Sequence, residues 1–403
     1  MLNWANRFNI FCFLDNQAYS IQPQQYECLL GAGSLQNVSS DNLKDVDEFL
    51  SRNKRWTFGH LSYELKNSIH NLPSSQEDKI GFPYFFFFEP KFLLQIKGDK
   101  LIIEGDGCEN VFDEILQEEI KLELPSKVSM QQKLTREEYI EKIEGLQQHI
   151  VRGDCYEINF CQEFFAEDAD IDPIDTFQKL TTVSPNPFSA LYKLHERYLI
   201  CASPERFLTK KGSQIFSQPM KGTAKRNLQN NNEDDQLKIE LQQSAKERSE
   251  NVMVVDMVRN DLSKICSASS VKVDELFGVY TYPQVHQMIS TISGDLKPEV
   301  KFSEIIEATF PMGSMTGAPK HRVMELIDEY EVSARGIFSG SVGYISPGGD
   351  FDFNVVIRSI MYNASKKYLS YQLGSGITFY SDPEKEWEEC LLKGTAIKKV
   401  LTS

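Results

Sequence analysis

Apolar residues along this chain gather in short runs more often than in long helical stripes. Phe85–Phe88 is a continuous apolar run closed by Pro83 and Pro90, the pattern of a buried strand. Leu101–Gly105, Ala190–Tyr192, Tyr198–Cys201, Val342–Ile345 and Phe353–Ser359 read as further strands, many ending in turns that contain Gly or Pro. Helical periodicity appears over Val111–Leu122 and Leu237–Leu262, near the C-terminus around Glu386–Lys393, and from His321 onward behind Pro319. Thr135 with Glu138 predicts a capped helix start ahead of Tyr139, Ile143, Leu146 and Ile150, and Gly153-Asp154 predicts its end. Leu124–Lys133 is polar and aperiodic and reads as a connection; Asn227–Asp235, rich in Asn and acids, reads as a solvated loop. The pattern predicts an α+β fold, a large and mainly antiparallel β-rich core flanked by helices. Residues 1–122 read as an N-terminal region packing on a larger region, 123–403, in one intertwined unit.

Composition narrows the choice of function. A chain of 403 residues can bury a large core, and its formal net charge of -15 leaves no broad basic face for nucleic acid. A small anionic ligand stays possible, because a pocket responds only to its local charge. The eight cysteines are scattered without a C-x-x-C pair, which suits reduced thiols better than disulfides or a zinc site. The apolar run Ile10–Leu14 is short, is followed at once by Asp15, and has no small-residue cleavage site after it. No stretch reaches membrane-spanning length, so a soluble, cytoplasmic protein with no membrane partner is expected.

Several groups of residues can carry chemistry, each with a plainer alternative. Glu247 and Glu250 lie three apart in one predicted helix; Glu386 and Glu389 do so in another, with Lys393 four further on. Such spacings place side chains on one face, so two facing helices would offer an all-oxygen site for a hard cation, or else two ordinary solvated faces. Lys221, in Ser217-Gln218-Pro219-Met220-Lys221-Gly222-Thr223, is a nucleophile if held neutral and a solvated turn lysine otherwise. Glu205, between Pro204 and Arg206, is either a general acid or an arginine-paired structural carboxylate. Gly313–Lys320 marks a helix N-terminus able to receive an anion, and it lacks the order of a nucleotide P-loop. Leu373-Gly374-Ser375-Gly376-Ile377 brings backbone N–H groups close to a carboxylate or is a tight strand turn. His286 can orient a hydroxyl or sit hydrogen-bonded in the core, and Arg358 can clamp a carboxylate or pair with an acid such as Asp352.

Taken in order, Ser203–Leu208, Pro219–Thr223, Ser249–Asp256, Arg259–Leu262, Val285–Thr291, Thr316–Lys320, Gly340–Tyr344 and Gly374–Ile377 resemble the chorismate-utilising enzymes, which include anthranilate, aminodeoxychorismate, isochorismate and salicylate synthases. The resemblance runs from about Thr135 to Leu401, within the region 123–403. It implies one large α+β domain and Mg²⁺ held against the ring carboxylate of chorismate. Glu250 and Glu389 would be direct ligands, with Glu247 and Glu386 on the coordinated waters. It further implies Arg358 and Tyr344 on the enolpyruvyl carboxylate, Thr316, Lys393 and the Gly374–Ser375–Gly376 backbone on the substrate, and His286 beside the ring.

Three features discriminate within the family. Glu157 stands where water-using members carry a base lysine, and where amine-transferring members are expected to carry Gln. Lys221 replaces the small residue typical of anthranilate synthases; a lysine there resembles the aminodeoxychorismate synthases. That resemblance implies a covalent Lys221 adduct at C2, Glu205 protonating the departing hydroxyl, and ammonia entering at C4, on the route to 4-aminobenzoate and folate. The runner-up is the anthranilate synthase reaction, and less favoured still is a non-catalytic chorismate-binding relative. No Gly-x-Cys-x-Gly turn is present, so ammonia is expected from a separate glutaminase subunit or from free ammonium. No clear tryptophan-sensing motif is seen.

Overall fold

A computed structural model describes the chain except residues 21, 24–25, 53, 73–75, 119–127, 283–284 and 403. The boundary placed at 122/123, part of the expected connection and the Pro283-Gln284 flank of His286 therefore lie outside the described residues.

Two antiparallel sheets form the frame, with 11 and 10 strands among the described residues. They meet face to face: a Cβ added to Gly31 of the first sheet would lie 2.6 Å from the Phe58 ring of the second, and Tyr192 and His60 touch across the same interface. Phe85–Glu89, the Phe run, is buried at every position between neighbours in the second sheet. Helices cover the outer faces. Arg136–Arg152 buries Tyr139, Ile143 and Leu146 in the layer that also holds Trp387 and Cys390 of Pro383–Lys393. Its Thr135–Glu138 capping box and left-handed Gly153 form as expected, because both satisfy end groups the helix leaves open. N-terminal and C-terminal strands interleave: Ile10–Asp15 pairs with Phe188–Leu194, and Thr57–Leu61 with Ser341–Ile345.

The chain crosses between sheets at two adjacent places, and these position the chemistry. Arg197–Ser203 belongs to the first sheet and Arg206–Lys211 to the second, with Pro204 and Glu205 as the link. The expected strand Phe353–Ser359 is instead two strands: Phe351–Asn354 lies in the second sheet and Ser359–Asn363 in the first. Arg358 sits in the crossing with φ +53, in the left-handed region that few side chains adopt. The two links hold each other through Val355 N–H to Glu205 C=O at 3.0 Å and Ala202 N–H to Arg358 C=O at 3.2 Å.

Two other expectations change. Leu237–Leu262 is two helices, Asn231–Gln243 and Ala245–Ile265, broken at Ser244, whose hydroxyl caps the second by accepting from Glu247 N–H. Asn227–Asp235 is not a free loop: Asn230 caps the first of these helices, and Asp234, in its first turn, is buried.

A buried clamp fixes the strand that enters the site. Arg335, 2% exposed, donates to Glu331 Oε2 at 2.9 Å, to Met315 C=O at 2.7 Å and to Asn159 C=O at 2.9 Å, while Glu331 Oε1 accepts from Cys161 N–H at 2.8 Å. Removing one partner would strand the other's charge in the core. Arg335→Ala is expected to cost about 3–5 kcal/mol of unfolding free energy, checked by the denaturant midpoint.

Candidate active site

Lys221 is at the centre of the candidate site. Its strand, Met220–Lys225, is the edge of the second sheet, and the amine reaches across to Glu157, the first residue of Glu157–Ala166 in the first. The two groups meet where Gly376 has no side chain: a Cβ there would fall 2.5 Å from Lys221 Nζ and 2.8 Å from Glu157 Oε1. Glu250 Oε2 lies 4.0 Å from the same amine. Burial disfavours the Lys221 ammonium, yet Glu157, Glu250 and Glu389 outweigh it and hold its pKa above the ordinary lysine value. Gly222, at φ +96, lies where the strand's register shifts between Met220 and Thr223, and a Cβ there would meet Glu247 Oε2 at 2.9 Å. The Leu373–Ile377 segment is no turn. It lies inside the strand Tyr368–Thr378, where Gly374 is needed because a Cβ would strike Phe160 C=O at 2.2 Å.

Glu205, 4% exposed, occupies the crossing above Lys221. Burial pushes its carboxyl up to about 7, with the Ser314 hydroxyl, the Met220 N–H and the Lys221 ammonium pulling partly back. A carboxyl so tuned is half protonated near neutrality, which suits proton donation. It also lines a small cavity with Phe207, Pro219, Met312 and Ser314.

The four expected metal carboxylates project from two helices, Ala245–Ile265 and Pro383–Lys393. Among the described residues, no three His, Cys, Asp or Glu side chains stand close enough to hold a metal ion. The Lys246 ammonium instead stands among them, 3.9 Å from Glu250 Oε1 and 3.9 Å from Glu386 Oε1. Burial lowers the pKa of Lys246, but Glu250, Glu386, Glu389 and Glu247 together raise it, so all four carboxylates act on one cation. Burial pushes Glu250 up to about 7, and its Oε1 is buried with no hydrogen-bond partner among the described residues. A tethered cation at the meeting point and an orphaned carboxylate oxygen fit a hard divalent ion. Lys246 was not singled out from the sequence, although it stands four residues before Glu250. Glu386 is additionally held by the Ser381 hydroxyl at 2.8 Å.

Arg358 and Lys393 join this group. Lys393 Nζ bonds Gly374 C=O at 2.9 Å and Glu389 Oε1 at 2.8 Å, and Arg358 donates to Lys393 C=O at 2.9 Å. Burial opposes ionisation of Glu389, but Lys393, Lys246 and Lys221 hold its pKa below the usual value.

Three expected residues are placed differently. Tyr344 does not join Arg358: its ring packs on Tyr26, Trp56 and Phe58 and lines a separate cavity with Asp15, Phe188 and Asp352. It belongs to a strand in the second sheet, whereas Arg358 lies beyond the next strand, in the crossing. His286 has both ring nitrogens engaged, with Thr281 Oγ1 at 3.0 Å and Asp234 Oδ1 at 3.1 Å, and Asp234 is in turn gripped by Arg226 at 2.8 Å. Thr316 is fully buried and spends its hydroxyl on Met312 C=O at 3.0 Å. Asp352, the alternative partner weighed for Arg358, pairs with Arg206.

The frame is shared with solved structures. Anthranilate synthase component I from Streptococcus pneumoniae superposes with a TM-score of 0.82 at 23% identity, over 94% of this chain and 93% of that one, which shows the fold. Aminodeoxychorismate synthase component 1 of Escherichia coli is 40% identical over 271 residues, 67% of this chain and 59% of that protein. The matched segment thus spans about three fifths of that relative's length. The protein of the same name from Bacillus subtilis is 31% identical over 361 residues, 85% of this chain and 76% of that one. A match to the chorismate binding enzyme family runs over residues 8–399, through both sheets and every residue of the site above, and places this chain in that family.

Proposed function

We propose that the chain replaces the C4 hydroxyl of chorismate by an amino group, with ammonia as the nitrogen source, and so acts as an aminodeoxychorismate synthase component for 4-aminobenzoate formation. The observation that carries the reading is the buried pairing of Lys221 with Glu157 beside Glu205, a carboxyl tuned to about 7. A nucleophile, a group that takes its proton and an acid for a leaving hydroxyl are what two successive allylic displacements require.

In this reading the neutral Lys221 amine adds at C2 while Glu205 gives its proton to the departing C4 hydroxyl, which leaves as water. Ammonia then adds at C4 and the lysine leaves. Arg358 and Lys393 are cations available to substrate carboxylates, and the glycine backbone at 374 and 376 lets the ring approach the strand. Glu250 and Glu389, with Glu247 and Glu386 behind them, would hold magnesium. Bound there, magnesium would supply positive charge to neutralise the ring carboxylate, and Glu157 is the carboxylate in contact with the Lys221 amine. The relatives' name "component 1" implies a second component of those proteins, and here the ammonia would come from a separate glutaminase partner. No helix among the described residues is long and apolar enough to cross a membrane, in keeping with a cytoplasmic setting.

The test is consumption of chorismate with ammonium, with magnesium present or removed by a chelator. The expected result is loss of chorismate that needs both ammonium and the metal, giving a product that a lyase converts to 4-aminobenzoate. Unchanged chorismate, or consumption that does not need ammonium, would overturn the reading.

A further inference from the structure

Glu157 is one residue with two differently employed oxygens. Oε1 contacts the Lys221 amine, whereas Oε2 is buried and has no hydrogen-bond donor among the described residues. The side chain is 2% exposed, so solvent does not satisfy that oxygen from outside. A buried carboxylate oxygen without a donor is costly, and a site that keeps one is built to receive a donor from a ligand. Glu157 is held there firmly. It opens a strand paired on one side with Gly317–Ala318 and on the other with Tyr368–Thr378, and two residues on, the Arg335 clamp binds Asn159 C=O.

We infer that Glu157 Oε2 is the docking acceptor for the nitrogen nucleophile, a small N–H donor such as ammonia or ammonium. The inference rests on the amination reading above. An ammonia molecule that donates an N–H to Oε2 keeps its lone pair free for the ring. Alternate carbons of a six-membered ring are about as far apart as the two oxygens of one carboxylate. A single side chain therefore holds the lysine nitrogen at one ring carbon and presents the incoming nitrogen to the next but one. Gly376 supplies the space, since any side chain there would press on both Lys221 and Glu157.

The experiment is steady-state kinetics on the whole chain with chorismate and magnesium, varying ammonium at saturating chorismate and then the reverse, for wild type, Glu157→Ala and Glu157→Gln. Losing a hydrogen bond to a charged group should raise the ammonium KM of Glu157→Ala about tenfold or more. The chorismate KM should change little, and Glu157→Gln, which is isosteric and keeps one acceptor, should fall between the two. An ammonium KM at the wild-type value in Glu157→Ala overturns the inference, because Oε2 would then hold only a water. Equal rises in both KM values in both variants also overturn it, leaving Glu157 as a prop for Lys221 alone. Wild type that does not aminate chorismate at all defeats the underlying reading instead, so the two failures are told apart.

Discussion

Lys221→Ala is expected to lose chorismate amination by at least three orders of magnitude, roughly what loss of a covalent nucleophile costs when it acts as a unit with its neighbours. The size follows from the site. The amine touches Glu157 and reaches Glu250, and it also lowers the pKa of Glu205, so its removal takes away both bond-making and electrostatic roles. Alanine fits the strand, but the variant strands the buried Glu157 carboxylate, so a lowered thermal midpoint is expected and activity is read at a temperature where the variant is folded. The check is kcat with ammonium, alongside the thermal midpoint. Near wild-type activity would return Lys221 to an ordinary ion-paired lysine.

Glu205→Gln should reduce kcat by about 10²–10⁴-fold, the range for loss of a positioned general acid. The accompanying pH effect has a definite sign. Burial raises this carboxyl to about 7, so the proton-donating form prevails below that pH and is lost above it. Wild-type kcat/KM for chorismate, which reports the free enzyme, should therefore fall as pH rises through about 7. The variant, which has no proton to lose there, should lack that limb. A variant that keeps the same alkaline limb would assign it to another group.

Local signals were legible where they answer to local physics. The Thr135–Glu138 box, the Gly153 stop and the Phe85–Phe88 strand follow from end groups and burial that a short window contains. The crossings were not legible. Phe353–Ser359 carries the apolar run Val355-Val356-Ile357 at its centre, and nothing local says that the chain leaves one sheet after Asn354 and joins the other at Ser359. Tyr344 was set with Arg358 by the family resemblance, whereas here its ring packs on Tyr26 and Arg358 lies in the crossing, bonded to Lys393 C=O. Asn227–Asp235 read as solvated because its composition is polar; Asp234 is buried by Arg226 and His286, partners distant in pattern though near in space. Lys246 was passed over for a similar reason. A lysine beside glutamates is ordinary helix decoration until a second helix brings Glu386 to it. The carboxylate pairs and Lys221 were singled out by spacing and given their roles by the family resemblance; the fold brings the two helices that carry the pairs to the sheet edge that carries Lys221.

The central claim is that nitrogen enters the ring at C4 by way of Lys221. Incubating the chain with chorismate, magnesium and isotope-labelled ammonium, and reading the position of the label by NMR, tests it most directly. Label at C4 of a non-aromatic product that keeps its enolpyruvyl group is the result predicted here. Label at C2 with loss of that group, giving anthranilate, would contradict it.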